Sequence, residues 1–485
     1  MAKAQLSTGM VLDGFRLEER LHRGGMATIW RVCREGIDIP IVMKVPFLDY
    51  EGDLSLLVGF EVEQMIMAEL KGPHVPRLIA NGDFAVQPNI VMEYVQGPTL
   101  LRRMLDRRLE LDDVTRIGIA IADALSDLHQ QHVLHLDLKP ANVLFRPSGE
   151  AVLIDFGLSR HENLPDLLEE QFHRPTGTTE YMAPEQLLRI RSDKRSDLFA
   201  LGAIIYQMAT GELPFGAPGR IKQVRQRVWR DPIPPRALCP EMSPALQEVI
   251  LRCLEPNPDR RSTTAEELAF ELRHLDLVEL SQRAGRLQRD DLKTAFGRRL
   301  RVRKLMREIE DSATKPPLRA PIILVAVDLR PGLDELRQGL LDTAVSVLAN
   351  TPGARLACLN VMHTSLIAID ENVDSKGENI HVQRIAELRR WAQPLQLPRG
   401  KITFHLVESR SIGTGILDFA RSNAVDHLVI GAPVAGGPAA SRLTAQITAE
   451  APCTVTVVRT SQSRAVPSGD LGKQQSTAPQ PERGT

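Results

Sequence analysis

The sequence has few cysteines, and no two of them are spaced like a metal-binding or redox pair. The five are Cys33, Cys239, Cys253, Cys358 and Cys453. An odd number of scattered thiols argues against a disulfide framework and against a structural zinc site. We therefore expect reduced cysteines, as in a cytoplasmic protein.

Long apolar runs and a net charge are also absent. The most apolar stretches, near 198–209 and 322–327, are well short of the roughly 20 residues that a membrane span needs. The first fifteen residues contain no apolar stretch suited to a signal peptide. Lys and Arg total 60 against 61 Asp and Glu, so the overall charge indicates neither a nucleic-acid coat nor an acidic tail. We expect a cytoplasmic protein with no transmembrane segment, and we do not expect it to bind nucleic acid.

Length and residue pattern divide the chain into regions. With 485 residues, of which 43% are apolar, it is long enough for about three domains and too apolar for global disorder. The regions are strands and turns with one helix (12–95), a mainly helical part (98–275), a basic linker (276–318), an alternating part (319–460) and a tail (461–485). The tail is rich in Ser, Gln, Pro and Gly, and we expect it to be disordered.

Periodicity predicts the main elements. In the first two regions it favours strands over 28–32 and 40–45 and helices over 60–70, 112–129 and 196–210. From 319 onward, five strands alternate with four helices. The predicted strands cover 321–328, 355–362, 402–407, 427–430 and 454–458, and the helices cover 331–349, 380–391, 414–422 and 439–449. This alternation predicts an α/β domain with a five-stranded parallel sheet.

Two short motifs carry groups suited to phosphoryl transfer. Asp155 ends an apolar strand and is followed by Phe and Gly, which is a good position for holding a divalent cation. Upstream, Asp137, Lys139 and Asn142 lie within six residues of one another. Such an acid can accept a hydroxyl proton, the ammonium can neutralise a phosphate, and the amide oxygen can ligate Mg²⁺.

The order of these motifs resembles the signature set of bacterial eukaryotic-like Ser/Thr protein kinases. Lys44 lies in a strand upstream of them, Glu63 lies on the following helix, and a glycine-bearing turn at 22–30 precedes both. The resemblance covers residues 12–275. It implies a bilobal α+β kinase fold with an N-lobe at about 12–95 and a C-lobe at about 98–275. It also implies ATP and Mg²⁺ as cofactors and protein Ser/Thr hydroxyls as acceptors.

The resemblance assigns roles residue by residue. Asp137 would be the catalytic base, Lys139 would contact the γ-phosphate, and Lys44, paired with Glu63, would grip the α- and β-phosphates. Metal ligation would come from Asn142 and Asp155. The residues expected around ATP are Leu21, Gly24, Gly25, Ile29, Lys44, Met92, Glu93, Val95, Asn142 and Asp155. Among supporting residues, Glu185 is expected to pair with Arg261, and Asp197 to brace the catalytic loop.

The sequence departs from the kinase pattern at three positions. His22 and Ala27 stand where the family usually has glycines, although Gly24 still allows close approach to a phosphate. Leu136 stands where most kinases carry the Arg that clamps a phosphorylated activation loop. We therefore hypothesise that activity does not require phosphorylation of the loop, whose candidate phosphorylation sites are Thr176, Thr178 and Thr179.

The linker is strongly basic and has an apolar periodicity. Residues 281–307 contain ten Lys or Arg and two Asp. Apolar residues recur every four or five positions, as on one helix face: Leu287, Leu292, Phe296, Leu300 and Leu305. Three interpretations are open, namely a solvated linker helix packed on a domain, an autoinhibitory segment, and a binder of anionic surfaces.

The region 319–460 resembles the universal stress protein family. The resemblance rests on a first strand that ends at Asp328 and on the closing run from 429 to 458. In that family the aspartate and a glycine-rich turn can hold ATP at the switch point of the sheet. Here Gly431 is present, but Val434 replaces the second glycine and Ser441 and Arg442 replace the Gly-Ser pair. We therefore favour a sensing or dimerisation module over a nucleotide site, and we expect Asp328 to cap a turn.

Together these features predict a Ser/Thr protein kinase joined to a regulatory or sensing domain in stress signalling, with a homodimer formed through that domain. The alternative is a pseudokinase scaffold that binds ATP and signals through the C-terminal domain. A small-molecule kinase is disfavoured because the segment ending at 183–185 is typical of enzymes with a peptide groove.

Overall fold

In the computed structural model, the described residues are 6–24, 27–47, 54–83, 87–107, 109–218, 221–289, 292–313, 320–363, 379–398, 400–432 and 438–459. Gly25, Val434 and the tail predicted to be disordered lie outside them. No helix among these residues is long and apolar enough to cross a membrane.

The amino-terminal part of the chain folds into an antiparallel sheet with one helix. Its elements are β1 (Val11–Leu12), β2 (Phe15–Arg23), β3 (Ala27–Cys33), β4 (Ile41–Pro46), α1 (Leu54–Met67), β5 (Leu78–Asn81) and β6 (Ile90–Glu93). The described strands lie in the order β1-β2-β3-β4-β6-β5. The helix predicted over 60–70 begins and ends earlier than expected, because the turn leading to Gly72 and Pro73 stops it.

A mainly helical lobe follows. Its helices are α2 (Leu100–Asp106), α3 (Leu111–Gln130), α4 (Leu167–Phe172), α5 (Arg195–Thr210), α6 (Ile221–Val224), α7 (Pro235–Leu238), α8 (Pro244–Cys253) and α9 (Ala265–Arg273). Its short strands are β7 (Val133–Leu134), β8 (Val143–Phe145), β9 (Ala151–Leu153) and β10 (Arg160–His161). Helices α3 and α5 pack at the centre, and the predicted helices over 112–129 and 196–210 correspond closely to them.

The C-terminal part is an α/β unit. Its elements are β11 (Ile322–Ala326), α12 (Asp334–Ala349), β12 (Arg355–His363), α13 (Ile380–Ala392), β13 (Ile402–Ser409), α14 (Ile412–Ser422), β14 (His427–Gly431), α15 (Pro438–Glu450) and β15 (Thr454–Val458). All pairs are parallel, in the order β13-β12-β11-β14-β15. Helices α12 and α13 cover one face and α14 and α15 the other, which explains why the central strand is apolar throughout. The predicted parallel sheet is confirmed.

The linker is not the single helix that its periodicity favours. It contains turns over 281–289 and then α10 (Leu292–Leu300) and α11 (Val302–Ser312), with the break at Arg301. Leu287, Phe296 and Leu300 are more than half exposed, so these members of the stripe do not pack on a domain. Instead, Arg283 pairs with Glu248 at 3.1 Å and Arg298 with Asp231 at 2.8 Å, because the helical lobe offers acidic partners.

Helix α11 is the part of the linker that packs. Ile309 is 1% exposed, and Ser312 accepts a hydrogen bond through its backbone oxygen from Arg195 at 2.8 Å. Arg195 itself pairs with Asp193 and Asp259, each at 2.8 Å. The end of the linker is thereby fixed to the helical lobe at the start of α5.

Candidate active site

A carboxylate and an ammonium group meet in the loop between β7 and β8. Asp137 is 6% exposed. Its Oδ1 accepts the backbone N–H of Thr178 at 2.6 Å, and its Oδ2 accepts the Lys139 ammonium at 2.7 Å. Lys139 also donates to the Thr178 hydroxyl at 3.0 Å. A carboxylate oriented from two sides in this way can act as a general base toward a hydroxyl group.

Asp197, near the start of α5, braces the backbone of this loop. Its carboxylate accepts the N–H groups of His135 and Leu136 at 2.9 and 2.8 Å and contacts Nε2 of His129 at 2.8 Å. Leu136 has a φ of 60°, a left-handed conformation that costs a branched side chain about 1–3 kcal/mol and needs such support. Burial would raise the pKa of Asp197, but these hydrogen bonds, with that of His129 the largest, hold it below its usual value. The predicted bracing role of Asp197 is confirmed.

A second group joins β4, α1 and the end of β9. Lys44 Nζ lies 2.5 Å from Glu63 Oε2 and 3.0 Å from Asp155 Oδ1. Burial disfavours the ammonium, but the two carboxylates outweigh it and raise the pKa of Lys44. Burial also raises the pKa of Glu63, whereas the charge of Lys44 lowers that of Asp155. The structure therefore brings Lys44, Glu63 and Asp155 together as the sequence predicts.

Helix α1 approaches this group through a contact between two glycines. A Cβ at Gly59 would lie 3.1 Å from the carbonyl oxygen of Gly157, and a Cβ at Gly157 would lie 3.3 Å from the oxygen of Gly59. Both distances are shorter than an ordinary van der Waals contact, so a side chain at either position would be crowded. The two glycines therefore let α1 come close enough to place Glu63 on Lys44.

Asn142 and Asp155 supply oxygen atoms at the ends of two paired strands. Strands β8 and β9 pair Val143 with Leu153, and Ile154 N–H donates to the backbone oxygen of Asn142 at 3.1 Å. Nδ2 of Asn142 donates to the backbone oxygen of Asp137 at 3.1 Å, which fixes the amide. Within the described ranges, no group of three or more His, Cys, Asp or Glu side chains forms a metal cage. One carboxylate and one amide oxygen suit Mg²⁺ that is also held by phosphates.

The residues expected around adenine line the sheet beside Lys44. Ile29 of β3 pairs with Lys44 of β4 on one side and with His22 of β2 on the other. The pairing of β2 with β3 is irregular between Arg20 and His22, and Leu21 lies at this irregularity. Gly24 N–H donates to Ala27 oxygen at 3.0 Å and closes the turn.

At the other end of this region, Met92 pairs with Val42, and Val95 follows β6. The Glu93 carboxylate is held by the Arg146 guanidinium, which lowers the pKa of Glu93. Glu93 is therefore tied to the helical lobe through its side chain.

Residues 15–272, more than half of the chain, match the family described as "Protein kinase domain". The chain belongs to the protein kinase family. Residues 321–459 match the "Universal stress protein family". The fold is thus a bilobal kinase followed by a universal-stress-protein-like α/β domain.

Similar proteins are bacterial Ser/Thr kinases. The chain is 33% identical over 278 residues to "Serine/threonine-protein kinase pkn3" of Myxococcus xanthus, which covers 54% of this chain and 50% of that protein. It is 33% identical over 268 residues to "Serine/threonine-protein kinase PknB" of Mycolicibacterium smegmatis, covering 54% and 42%. The chain thus spans half or less of the length of these curated relatives. The PknI kinase domain of Mycobacterium tuberculosis, a solved structure, is 25% identical over 56% of this chain and 100% of that chain, with a TM-score of 0.46.

The activation segment of the kinase domain, from Asp155 to Glu185, is held by an arginine that the sequence analysis does not single out. Arg191 is 5% exposed and donates to Asp166 Oδ2 at 2.8 Å, to the Thr176 hydroxyl at 2.5 Å and to the Leu158 oxygen at 3.0 Å. Arg160 lies 3.7 Å from the same Asp166 carboxylate. An acid of the chain therefore makes the kind of contact with arginines that a phosphate makes in a phosphorylated loop. No local pattern marks Arg191, because it lies between the segment ending at 183–185 and the start of α5 and belongs to neither motif.

The end of the activation segment is anchored by the predicted ion pair. Arg261 contacts the two oxygens of Glu185 at 2.7 and 2.8 Å, and both side chains are fully buried. Ser196 also donates to Glu185 at 2.7 Å. The predicted pairing of Glu185 with Arg261 is confirmed.

The C-terminal domain has a cavity of about 910 Å³ at the carboxyl edge of its sheet. Its walls are mostly aliphatic, with residues such as Leu336, Ile416 and Ile447. Asp328 borders it, accepts Arg330 N–H at 3.0 Å and pairs with the Arg330 guanidinium. Asp328 therefore caps a turn, as predicted.

Proposed function

We propose that the chain is an ATP-dependent Ser/Thr protein kinase that transfers the γ-phosphoryl group to protein hydroxyls and is regulated by its C-terminal domain in stress signalling. One observation carries the proposal. Asp137 and Lys139 are oriented in the same structure in which Lys44 contacts both Glu63 and Asp155. These are the groups that must be in place together for phosphoryl transfer.

Each group has a distinct task in this proposal. Asp137 accepts the proton of the attacking hydroxyl, and Lys139 neutralises charge on the transferred group. Lys44 binds the α- and β-phosphates, and Glu63 fixes the position of Lys44. The Thr178 hydroxyl, which contacts Lys139 at 3.0 Å, lies where an acceptor hydroxyl approaches.

The donor set fits ATP and Mg²⁺. Asn142 and Asp155 would hold the metal. The Asn142 amide is fixed through its Nδ2, which donates to the backbone oxygen of Asp137, and Asp155 Oδ1 lies 3.0 Å from Lys44 Nζ. When bound, Mg²⁺ neutralises charge on the phosphates. The adenine would lie between Leu21, Ile29 and Met92, with backbone contacts at Glu93 and Val95, and the turn at Gly24 and Gly25 would cover the phosphates.

We further propose that activity needs no phosphorylation of the activation segment. Asp166 already supplies a negative charge to Arg191 and Arg160. Of the three candidate phosphorylation sites, Thr176 is the one whose side-chain hydroxyl contacts an arginine among the described residues, whereas Arg227 reaches only the backbone oxygen of Thr179. A phosphate on the Thr178 hydroxyl would compete with Asp137 for the Lys139 ammonium, which contacts both groups. The Thr179 hydroxyl is hydrogen-bonded to Glu180 and to the backbone oxygen of Pro218, each at 3.1 Å.

The direct test is transfer of label from γ-labelled ATP with Mg²⁺ to a generic Ser/Thr acceptor, after phosphatase treatment of the full chain. Asp137→Asn keeps the volume of the side chain but removes the base, and it should lower the rate about 10²- to 10⁴-fold. The matched control is Asp112→Asn at the exposed start of α3, which should transfer like the wild type. Retained ATP binding without transfer by the wild type would contradict the proposal. Loss of all activity on phosphatase treatment would contradict its second part.

A cytoplasmic location and a homodimer through the C-terminal domain belong to the same proposal. The five free cysteines support the location. Size-exclusion chromatography with light scattering tests the dimer, and a monomer at micromolar concentration would contradict it.

A further inference from the structure

The C-terminal domain packs directly on helix α1 of the kinase domain. Leu57 and Phe60 of α1 form one apolar cluster with Ile385 of α13 and Leu406 of β13. All four side chains are at most 7% exposed. Closing such a cluster removes apolar surface of both domains from water, so the contact is a folded interface.

An ion pair extends this interface on α1. Arg389 of α13 donates to the carboxylate of Glu61, and its guanidinium lies 4.8 Å from the centre of the Phe404 ring. Glu61 is two positions before Glu63, so the two side chains point about 200° apart around the helix. Lys44 and the C-terminal domain therefore contact different sides of α1.

The same domain holds α4 of the activation segment. Glu170 lies between Arg355 at 2.5 Å and His405 at 3.3 Å, and its backbone oxygen accepts Asn423 at 3.1 Å. The neighbouring Gln171 donates to the backbone oxygen of Leu406 and contacts His405 at 3.2 Å. Helix α4 thus lies against both α1 and the C-terminal domain.

From these contacts we infer that the C-terminal domain is an intramolecular activator, which holds α1 and α4 in the arrangement that phosphoryl transfer requires. The docking surface consists of Arg355, Ile385, Arg389, His405 and Leu406. Its partner is the kinase domain of the same chain, through acidic and apolar residues of α1 and α4. The inference rests on the proposed kinase function and names the regulation of that site.

Whether the C-terminal domain activates or inhibits the kinase follows from the arrangement of the site while the domain is docked. While the docking surface is occupied, Lys44 reaches Glu63 at 2.5 Å and Gly59 touches Gly157. An inhibitory domain would hold α1 away from Lys44. The contacts therefore stabilise the assembled site, and their loss shifts the kinase toward states in which it is not assembled.

A charge exchange across the interface tests the inference in the full chain. Glu61→Arg and Arg389→Glu alone should each lower kcat/KM for a generic Ser/Thr acceptor by about 5- to 150-fold, the usual range of coupling between sites. The double variant E61R/R389E restores opposite charges and should recover most of the activity. Arg421→Glu, on the 48% exposed side chain of α14, is the matched control and should leave kcat/KM unchanged.

Hydrogen exchange provides a readout that does not depend on catalysis. Amides of α1 and α4 should exchange faster in the Arg389→Glu variant than in the wild type and return to slow exchange in the double variant. Unchanged exchange, unchanged or higher activity in both single variants, or a double variant no better than either single one would overturn the inference. If the wild type transfers no phosphate, the proposed function fails, while the exchange measurement still decides whether the domain holds the two helices.

Discussion

Replacing Asp166 with asparagine separates two contributions of one side chain. Its Oδ2 accepts Arg191 at 2.8 Å, and its Oδ1 caps α4 by accepting Glu169 N–H at 3.3 Å. Asparagine is an equally good N-cap, so Asp166→Asn keeps the cap but removes the charge and the acceptor oxygen that face Arg191. A hydrogen bond to a charged partner contributes about 1.5–3 kcal/mol, and Arg191 is 5% exposed, so we expect the local opening free energy of α4 to fall by about 2 kcal/mol.

That loss corresponds to roughly 30-fold faster amide exchange in α4, since 1.4 kcal/mol is about a factor of ten. Asp166→Ala also removes the cap and should add about 1 kcal/mol, or roughly a further fivefold. The control is Asp259→Asn, which removes an Arg195 partner that is 59% exposed and should change stability by less than about 1 kcal/mol. The reasoning is refuted if Asp166→Asn exchanges like the wild type in α4, or if Asp166→Ala is no worse than Asp166→Asn.

Three further substitutions test other parts of the fold. Gly59→Ala places a Cβ 3.1 Å from the Gly157 oxygen and should lower kcat/KM roughly tenfold in the transfer assay through a small shift of α1; wild-type activity would contradict the close packing. Arg261→Met leaves the fully buried Glu185 carboxylate uncompensated and should cost about 3–5 kcal/mol in denaturant unfolding, more than the double variant R261M/E185L; equal costs would argue against a charge effect. Burial lowers the pKa of His161, so the unfolded chain binds more protons there and stability falls as the pH drops below 6.5. His161→Gln should therefore show a smaller decrease in Tm than the wild type between about pH 7.5 and 5.5, and an identical decrease would exclude this origin.

The groups of the candidate active site could be predicted because their chemistry is concentrated in short segments. Asp137, Lys139 and Asn142 lie within six residues, and Lys44 and Glu63, which pair with each other, follow from the order of the motifs. The alternation after residue 319 likewise predicts its sheet, because parallel strands need crossover helices.

The contact between the two domains could not be predicted in this way. Glu170 and Arg355 are 185 positions apart and are ordinary charged residues in their local segments. Sequence periodicity reports which face of an element is buried, but it does not identify the partner that buries it. The linker shows the same limit, because Arg283 and Arg298 pair with acids of the helical lobe and the chain turns where its apolar repeat favours one helix.

The anchoring of α11 limits how far the C-terminal domain can travel. Ser312 is fixed to Arg195, and Ile322 begins the first strand of the C-terminal domain. The ten residue steps from Ser312 to Ile322 can span at most about 33–36 Å when fully extended. A short tether of this kind gives an effective concentration in the millimolar range. An undocked C-terminal domain would therefore be present at an effective concentration in the millimolar range near its own kinase domain. A second protein that takes its place on α1 and α4 has to bind tightly or to be brought to the same chain by another contact.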